Sequence, residues 1–324
     1  MSTINIALLS IEDDLHALAV QKGLESYKNV SCHIVETDRI CDHSNLSWSS
    51  VAQSEFRGTL STRNGDLIHV SELDAIWWRR AYHRQTLPPY IVDPIYIDLI
   101  NNDCGTSLLG LLLNEFSGTW ISDPTVTRLA ENKLVQLQAA QRAGFRVPHT
   151  LVSQNPVAIR QFCAALDNKV VVKPVKGSLE VPLYTKMLNE EHLSSDESLR
   201  LCPAMYQEYI PGDQHIRVHC FGKTVHAVLI ESKQLDWRQN LDIPFGTFEL
   251  NEGVKLQLQN VLRILGLKMG VFDLKLTQGA EPIWIEINPQ GQFLFAEGLS
   301  GLDLTSAFVE FLYHEAKQAS ERKL

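Results

Sequence analysis

Val271-Phe272-Asp273-Leu274-Lys275 and Trp284-Ile285-Glu286-Ile287-Asn288 are the two stretches on which the reading of this chain turns. Both alternate as strands do, and Gln278-Gly279-Ala280-Glu281 between them has the composition of a tight turn. A hairpin pivoting at Gly279-Ala280 sets residue 273 opposite residue 286, with Cβ atoms roughly 4.5–5.5 Å apart on one face. Asn288 stands two residues beyond Glu286 and shares that face. Like charges directly opposite each other destabilise a hairpin, so something positive belongs between Asp273 and Glu286. A donor set of Asp273, Glu286 and Asn288 offers only oxygen. That suits Mg²⁺, which keeps waters and completes its shell with substrate phosphates. The first expectation is a magnesium–nucleotide site.

The rest of the chain is an ordinary globular sequence. Its 324 residues suffice for two or three domains, and 44% hydrophobic with 21% charged residues fits a soluble protein. A formal net charge of −9 argues against non-specific nucleic-acid binding. It also means that an acidic substrate needs a local basic patch. Six cysteines (Cys32, Cys41, Cys104, Cys163, Cys202, Cys220) show no C-x-x-C and no zinc spacing, and read as reduced thiols in a cytoplasmic protein. The start, Met1-Ser2-Thr3, lacks the basic opening of a signal peptide. The longest apolar run, Leu108 to Leu113, is far short of the ~20 residues that cross a bilayer. Neither a nucleic acid nor a membrane is expected as a partner.

Periodicity predicts α/β structure throughout. Ile4 to Leu9 reads as a buried strand, Leu15 to Tyr27 as a helix and Val30 to Val35 as a second strand, a small α/β unit. Asp66–Val70 and Ala75–Trp78 read as strands, Tyr96–Glu115 as a helix, and Trp120 to Pro124 as a strand leaving the first lobe. Thr127 to Ala143 reads as one amphipathic helix ended by Gly144 and followed by Pro148. Pro156–Leu166 is a further helix. Val170–Lys173 is a strand stopped by Pro174, Leu183–Thr185 a short strand, and Met205–Ile210 a strand halted by Pro211-Gly212. Ile216–Phe221 and Thr224–Ile230 form a hairpin around Gly222-Lys223. Asn251–Leu265 and Leu304–Ala316 are helices. Three lobes follow: residues 1–122, 123–203 and 204–324.

Single residues carry little by themselves. Lys173 is an ordinary strand-end lysine or an anion ligand, and Lys133 a solvated helix residue. Gln207-Glu208-Tyr209-Ile210 is a plain strand end, or a strand end whose free backbone groups read an adenine edge. Arg217 alternates with Ile216 and Val218 and so faces the polar side of its strand. Trp77 and Trp78 pack, alternation putting only one of them inward. The order carries the information: lysine on a helix, lysine on a strand, Gln-Glu-hydrophobic, arginine on a hairpin, then D…E-x-N.

This order is similar to that of the ATP-grasp superfamily of carboxylate–amine ligases, over about residues 123–303. The chain resembles most the branch that cyclises microviridin-type ribosomal peptides, the graspetides. The match is carried by Glu131-Asn132-Lys133-Leu134, Gly144 through Pro148, Val171-Val172-Lys173-Pro174, Leu183-Tyr184-Thr185, Gln207-Glu208-Tyr209 and Ile216-Arg217-Val218. It continues through Asp236-Trp237-Arg238, Gly270-Val271-Phe272-Asp273 and Glu286-Ile287-Asn288-Pro289-Gln290-Gly291-Gln292, with Ile76-Trp77-Trp78-Arg79-Arg80 in the first lobe. Two departures stand out. Gly177 is alone after the strand lysine, where many ATP-grasp proteins carry a glycine-rich phosphate loop. The ligases that glutamylate a ribosomal protein usually have an acid two residues before the hairpin arginine, and His215 stands there in this chain.

The resemblance implies an ATP-grasp fold of class α/β. An N-terminal α/β pre-ATP-grasp domain (1–122) would precede a central lobe serving as nucleotide lid (123–203) and a C-terminal lobe with the magnesium site (204–324). It implies ATP and Mg²⁺ as cofactors, with Asp273, Glu286 and Asn288 on the metal. Lys133 and Lys173 would hold the α- and β-phosphates, and Gln207, Glu208, Tyr209, Ile210 and Asp213 the rest of the nucleotide, Glu208 and Ile210 through their backbones. Arg217, with Arg238 and Asp236, would serve catalysis, Arg217 forking onto the γ-phosphate or an acyl phosphate. The substrate implied is a ribosomal precursor peptide, leader plus acidic core. Its Asp or Glu side chains would be activated and closed onto Thr, Ser or Lys as ω-ester or ω-amide rings. Arg79, Arg80 and Arg238 are candidates for holding that peptide, the alternative for one of Arg79 and Arg80 being a structural salt bridge. His215, His219 and Asp236 are candidate bases. A homodimer is implied as well. Two other readings stay open: an ATP-grasp ligase adding an amino acid to a protein or metabolite carboxylate, and a non-catalytic ATP-binding module.

Overall fold

The computed structural model describes residues 3–43, 46–51, 57–81, 84–177, 181, 183–277 and 281–323. The chain divides into two compact units: Met1–Pro124 with Gln292–Leu294 and Asp303–Leu324, and Thr125–Gly291 with Phe295–Leu302.

In the first unit, β1 (Ile4–Ser10), α1 (Leu15–Leu24) and β2 (Val30–Glu36) form the expected βαβ start. After α2 (Ile40–His43), the strands β3 (Leu46–Ser47), β4 (Thr59–Ser61) and β5 (Leu67–His69) make a small antiparallel sheet. Then come β6 (Ala75–Trp78), α3 (Pro94–Glu115) and β7 (Thr119–Ile121). The main sheet runs β2-β1-β6-β7, all parallel. Alternation placed only one of Trp77 and Trp78 inward, but both are buried. The reason is the parallel sheet, whose inner strands are covered on both faces. Trp77 packs on Phe308, and Trp78 on Trp120 within the cluster that includes Leu108, Leu112 and Phe116.

The second unit opens with α4 (Pro124–Ala130) and α5 (Lys133–Arg142), not with one helix over 127–143. Asn132 makes the break: its side chain accepts a hydrogen bond from the Leu134 N–H and caps α5, which competes with continuing the helix. Lys133 is therefore the first residue of α5 rather than part of a solvated helix face. A first antiparallel sheet runs β10-β9-β11-β8. It is built from β8 (Thr150–Ser153), β9 (Val170–Lys173), β10 (Lys186–Met187) and β11 (Ala204–Glu208). The helix α6 (Pro156–Ala165) and the short α7 (Glu190–Ser194) and α8 (Asp196–Arg200) accompany it. The short strand expected over Leu183–Thr185 starts immediately after it, as β10. The Thr185 N–H donates instead to the Asp236 carboxylate at 3.4 Å.

A second antiparallel sheet, order β14-β13-β12-β15-β16, contains β12 (Gln214–Phe221), β13 (Thr224–Glu231), β14 (Phe245–Phe248), β15 (Met269–Lys275) and β16 (Ile283–Asn288). The helix α9 (Glu252–Leu265) lies on one face and buries Leu258, Val261 and Leu262 against Ile216, Val218, Phe272 and Leu274. Because strand side chains alternate, the odd-numbered residues His215, Arg217 and His219 point to the other face. The expected pairing of Asp273 with Glu286 is present, followed by a bulge that pairs Leu274 with Trp284. The pivot at Gly279-Ala280 lies outside the described residues. After β16, Gly291 passes so close to β15 that a Cβ there would overlap Val271, so no larger residue fits. The remaining helices are α10 (Leu294–Ser300) and α11 (Leu304–Lys323), the latter packed on α1 and β1 of the first unit.

Candidate active site

Register turns the second sheet into a ladder of chemical rows. Arg217, Asp273 and Glu286 lie side by side across β12, β15 and β16. His219, Val271 and Asn288 form the next row in one direction; His215 and Lys275 face each other in the other. In the central row one Arg217 nitrogen, Nη1, reaches both carboxylate oxygens of Asp273, at 2.9 and 3.0 Å. The Arg217 guanidinium also lies over the rings of Trp237 and Phe295, at 5.7 and 5.3 Å. Lys133 Nζ donates to Glu286 at 2.8 Å, and Arg238 Nη1 stands 3.8 Å from its other oxygen. These cations answer the repulsion that the sequence placed between the two acids.

Arg238 also grips Asp236, Nε to Oδ1 at 2.8 Å and Nη2 to Oδ2 at 2.6 Å. Asp236 in turn caps a 3₁₀ turn (Trp237–Gln239) through the Arg238 N–H. Burial pushes the Lys173 ammonium down to about 8, against the pull of Glu286. Burial would raise Glu286, but the neighbouring Lys133 and Lys173 outweigh it and hold the carboxyl at about 2. Asp273 goes the other way: burial raises it above the usual carboxylate range despite Arg217. The site thus sets Lys133, Lys173, Arg217 and Arg238 against Asp236, Asp273 and Glu286, an excess of positive charge in an acidic protein.

The Gln207–Ile210 segment borders the same space. Gln207 is anchored to the Thr150 hydroxyl at 2.8 Å, and the Glu208 carboxylate accepts from Arg146 and from the His149 N–H. The backbone N–H groups of Glu208 and Tyr209 donate to the His149 and Lys169 carbonyls. The Ile210 N–H has no partner among the described residues. A cleft of about 650 Å³ runs from this segment to Asp273 and Glu286. A second, of about 970 Å³, is lined by Lys133, Lys173, Lys176 and Tyr184. Both clefts include Lys173, Thr185, Arg238 and Glu286, so they meet at the acids.

The oxygen donors fit a hard divalent ion. Asp273, Glu286 and Asn288 sit on paired strands, and the Asn288 side-chain oxygen also accepts from the Gln290 N–H. Among the described residues no three His, Cys, Asp or Glu gather into a metal cage.

The other candidates fall elsewhere. Arg79, in the first unit, is 0% exposed, and its Nε donates to Asp14 Oδ2 at 2.6 Å. It is the structural salt bridge that the sequence offered as an alternative, and it presents no surface to a peptide. Arg80 is half-buried, with a positive φ of 50°. His219 is fully buried, His215 lies at the Tyr209 end of the cleft, and both Asp236 oxygens are engaged by Arg238. Asp213 is exposed beside His215.

Sequence reading missed Gln136. Its buried amide donates to the Ile287 carbonyl at 2.8 Å and accepts from the Ile287 N–H at 3.2 Å, fixing the residue between Glu286 and Asn288. A polar residue on the inner face of an amphipathic helix was the available signal. Lys176 and Arg128 also enter the basic surface, both lining a third cleft with Glu286 and Asn288.

No protein-family model matches the chain. The macrocyclase MdnC from Microcystis aeruginosa, solved with its precursor peptide MdnA, superposes with a TM-score of 0.83 at 24% identity, covering 96% of this chain and 99% of MdnC. A RiPP-associated ATP-grasp ligase from Chryseobacterium gregarium, solved with ADP, leader and core peptide, gives 0.82 at 21% identity, covering 97% of each chain. Among curated proteins, a probable alpha-L-glutamate ligase of Xanthomonas oryzae is 26% identical over 227 residues, 67% of this chain and 76% of the relative. The fold is that of the ATP-grasp ligases.

Proposed function

We propose that this chain of ATP-grasp fold is an ATP-dependent peptide macrocyclase of the graspetide type. In this reading it activates Asp or Glu side chains of a ribosomal precursor peptide as acyl phosphates and closes them onto Thr, Ser or Lys. The supporting observation is the Arg217–Asp273–Glu286 row, flanked by Lys133, Lys173 and Arg238, where two clefts meet. One cleft is bordered by the Gln207–Ile210 backbone, an edge suited to a nucleotide base. The other carries Lys133 and Lys173 on the phosphate side, and Lys176 and Arg238 suited to an acidic acceptor. The sheet of β8 to β11 serves as the nucleotide lid, and the sheet of β12 to β16 as the metal-binding floor.

A carboxylate resists substitution because oxide is a poor leaving group. Transfer of the γ-phosphoryl group gives it a phosphate to expel, and catalysis of that transfer is mostly positioning and charge stabilisation. Lys133 and Lys173 bind the α- and β-phosphates, and Arg217 spans the transferring group. Asp273, Glu286 and Asn288 would hold Mg²⁺, which would supply charge neutralisation of the phosphates. Lys133 and Arg217, which pair with Glu286 and Asp273, would be the cations available to the phosphates when those acids hold the ion. Arg238 steers the acceptor carboxylate to the γ-phosphorus, held in place by Asp236. The hydroxyl or amine then attacks the acyl carbon, the bond from that carbon to the phosphate oxygen breaks, and the nucleophile's proton leaves with the phosphate.

Incubation with ATP, Mg²⁺ and an acidic precursor carrying its leader should yield ADP and a peptide lighter by one water per ring, read by mass spectrometry. The curated glutamate-ligase relative favours a second reading, addition of an amino acid to a carboxylate. It predicts a heavier product instead. Nucleotide binding without ADP release on adding acceptor would sink both.

A homodimer belongs to this proposal. The first half of α3 and the residues before it expose Tyr90, Val92, Ile95, Tyr96 and Leu99, an apolar face that the described residues leave uncovered. Sedimentation velocity should return twice the mass of one chain, and Leu99→Asp should return a single chain mass. A monomeric wild-type protein would refute it.

A further inference from the structure

We propose that Gln136 is a positioning residue for the metal-binding side chains. Its buried amide fixes the outer strand β16 just past a bulge and so keeps Glu286 and Asn288 together on the cleft face. This deepens the proposed function and rests on it.

The inference starts from a weakness in the second sheet. β16 is an outer strand of that sheet. An outer strand turns the backbone groups of alternate residues off the edge, away from any ladder. The ladder is also irregular beside Glu286. Asp273 pairs with Glu286 but Leu274 pairs with Trp284, which leaves Ile285 as an extra residue. A bulge disrupts the local pairing and re-aims side chains. Beyond it the strand is short: Ile287 pairs with Phe272, Asn288 pairs with Val271, and β16 ends. A slip of one residue in this tail would turn Glu286 and Asn288 to the face that α9 covers.

Gln136 holds this tail from outside the sheet. Its Nε2 donates to the Ile287 carbonyl at 2.8 Å, and its Oε1 accepts from the Ile287 N–H at 3.2 Å. These are the two bonds that a residue of a neighbouring strand would make, supplied here by one side chain. Nε2 also donates to the Ala130 carbonyl, at the end of α4, at 2.7 Å. Two carbonyls and one N–H as partners fix which end of the amide is nitrogen. One side chain on α5 thus joins the end of α4 to the edge of β16. Lys133 stands three residues before Gln136 and shares its helix face. Lys133 bonds Glu286, and Gln136 bonds the next residue, Ile287. Gln136 is 3% exposed, so a bond lost there leaves a buried backbone group without a partner. An apolar side chain of the same length would fill the space, but only the amide sets where β16 lies along its own axis. In this role Gln136 touches neither ion nor phosphate and acts through Glu286 and Asn288.

Calorimetric titration of the full chain with ATP, in excess Mg²⁺ and again in EDTA, tests this. Gln136→Met keeps the length of the side chain and removes the amide. It should bind ATP about tenfold or more weakly than the wild type in Mg²⁺ but within about threefold of it in EDTA, as expected for loss of a group that orients metal ligands. Gln136→Asn keeps an amide one methylene too short to join Ala130 to Ile287. It should show the same Mg²⁺-selective loss, smaller in size. Val261→Ala, a truncation of the core under the same sheet from α9, reports a purely structural effect. It should lower the denaturation midpoint and leave both affinities near the wild-type values. Equal losses with and without Mg²⁺ in Gln136→Met, or no loss in either, overturn the positioning role and leave the nucleotide reading standing. If Gln136→Met does not fold, Gln136→Asn decides by the same comparison. A wild type that binds no ATP, or binds it equally in Mg²⁺ and EDTA, overturns the metal–nucleotide reading and this inference with it.

Discussion

Asp273→Asn lowers ADP release in the presence of an acceptor peptide by about a thousandfold, equivalent to about 4 kcal/mol of transition-state stabilisation. The substitution is nearly isosteric and keeps an oxygen for Arg217, which now holds Asp273 through Nη1. Folding should therefore survive. What is lost is the negative charge that completes the site for a divalent ion and, in the resting protein, offsets Arg217. Arg217→Ala should be as damaging by the opposite route. It removes the guanidinium over the transferring group and leaves Asp273, already raised by burial, with its strongest counter-charge gone. The two variants are separable. Asp273→Asn should weaken the Mg²⁺ dependence of nucleotide binding, whereas Arg217→Ala should leave that dependence in place and abolish turnover. Near-normal ADP release in either variant would remove that residue from the mechanism.

Both acids were legible because a hairpin is local. Period-two alternation and a turn-rich tetrapeptide pointed to the Asp273–Glu286 pair, but not to the bulge after it that pairs Leu274 with Trp284, one residue off that register. What the sequence could not show is what meets that pair from a distance. Lys133 reaches Glu286 across 153 positions, and Gln136 reaches Ile287 across 151. Neither residue type announces such a contact. The helix over 127–143 failed for a local reason, a capping asparagine inside an otherwise periodic run. Trp77 and Trp78 failed for a global one: alternation assumes one solvated face, and an inner parallel strand has none. The His215–Lys275 pair lies between these cases. Each residue alone reads as unremarkable, and only the β12–β15 register places them together.

Asp14→Ala should cost about 3–5 kcal/mol of stability, because it strands the buried Arg79 guanidinium without its carboxylate. Asp14 is the hub of the first unit. It accepts from Arg79 Nε at 2.6 Å, from the Ser10 hydroxyl at 2.5 Å and from the His16 N–H at 3.1 Å. His16 in turn accepts from the Phe293 and Leu294 N–H groups through Nε2, at 3.0 and 3.2 Å. Burial by itself would raise the Asp14 carboxyl, but hydrogen bonding by His16 and the Arg79 charge outweigh it and hold it far below the usual range. A depressed carboxyl stabilises the fold in full above the unfolded aspartate value of about 3.9 and loses that contribution as pH falls below it. Chemical denaturation of wild type and Asp14→Ala should thus give a gap that is wide at pH 7 and narrows steadily below pH ~4. Adding Arg79→Met to Asp14→Ala should recover much of the loss, since both charges then leave the core together. A peptide-holding Arg79 predicts otherwise: Asp14→Ala would change stability by within about 0.5 kcal/mol and would act on the KM for peptide instead. Denaturation and peptide kinetics on the same two variants therefore decide whether Arg79 belongs to the core or to the substrate.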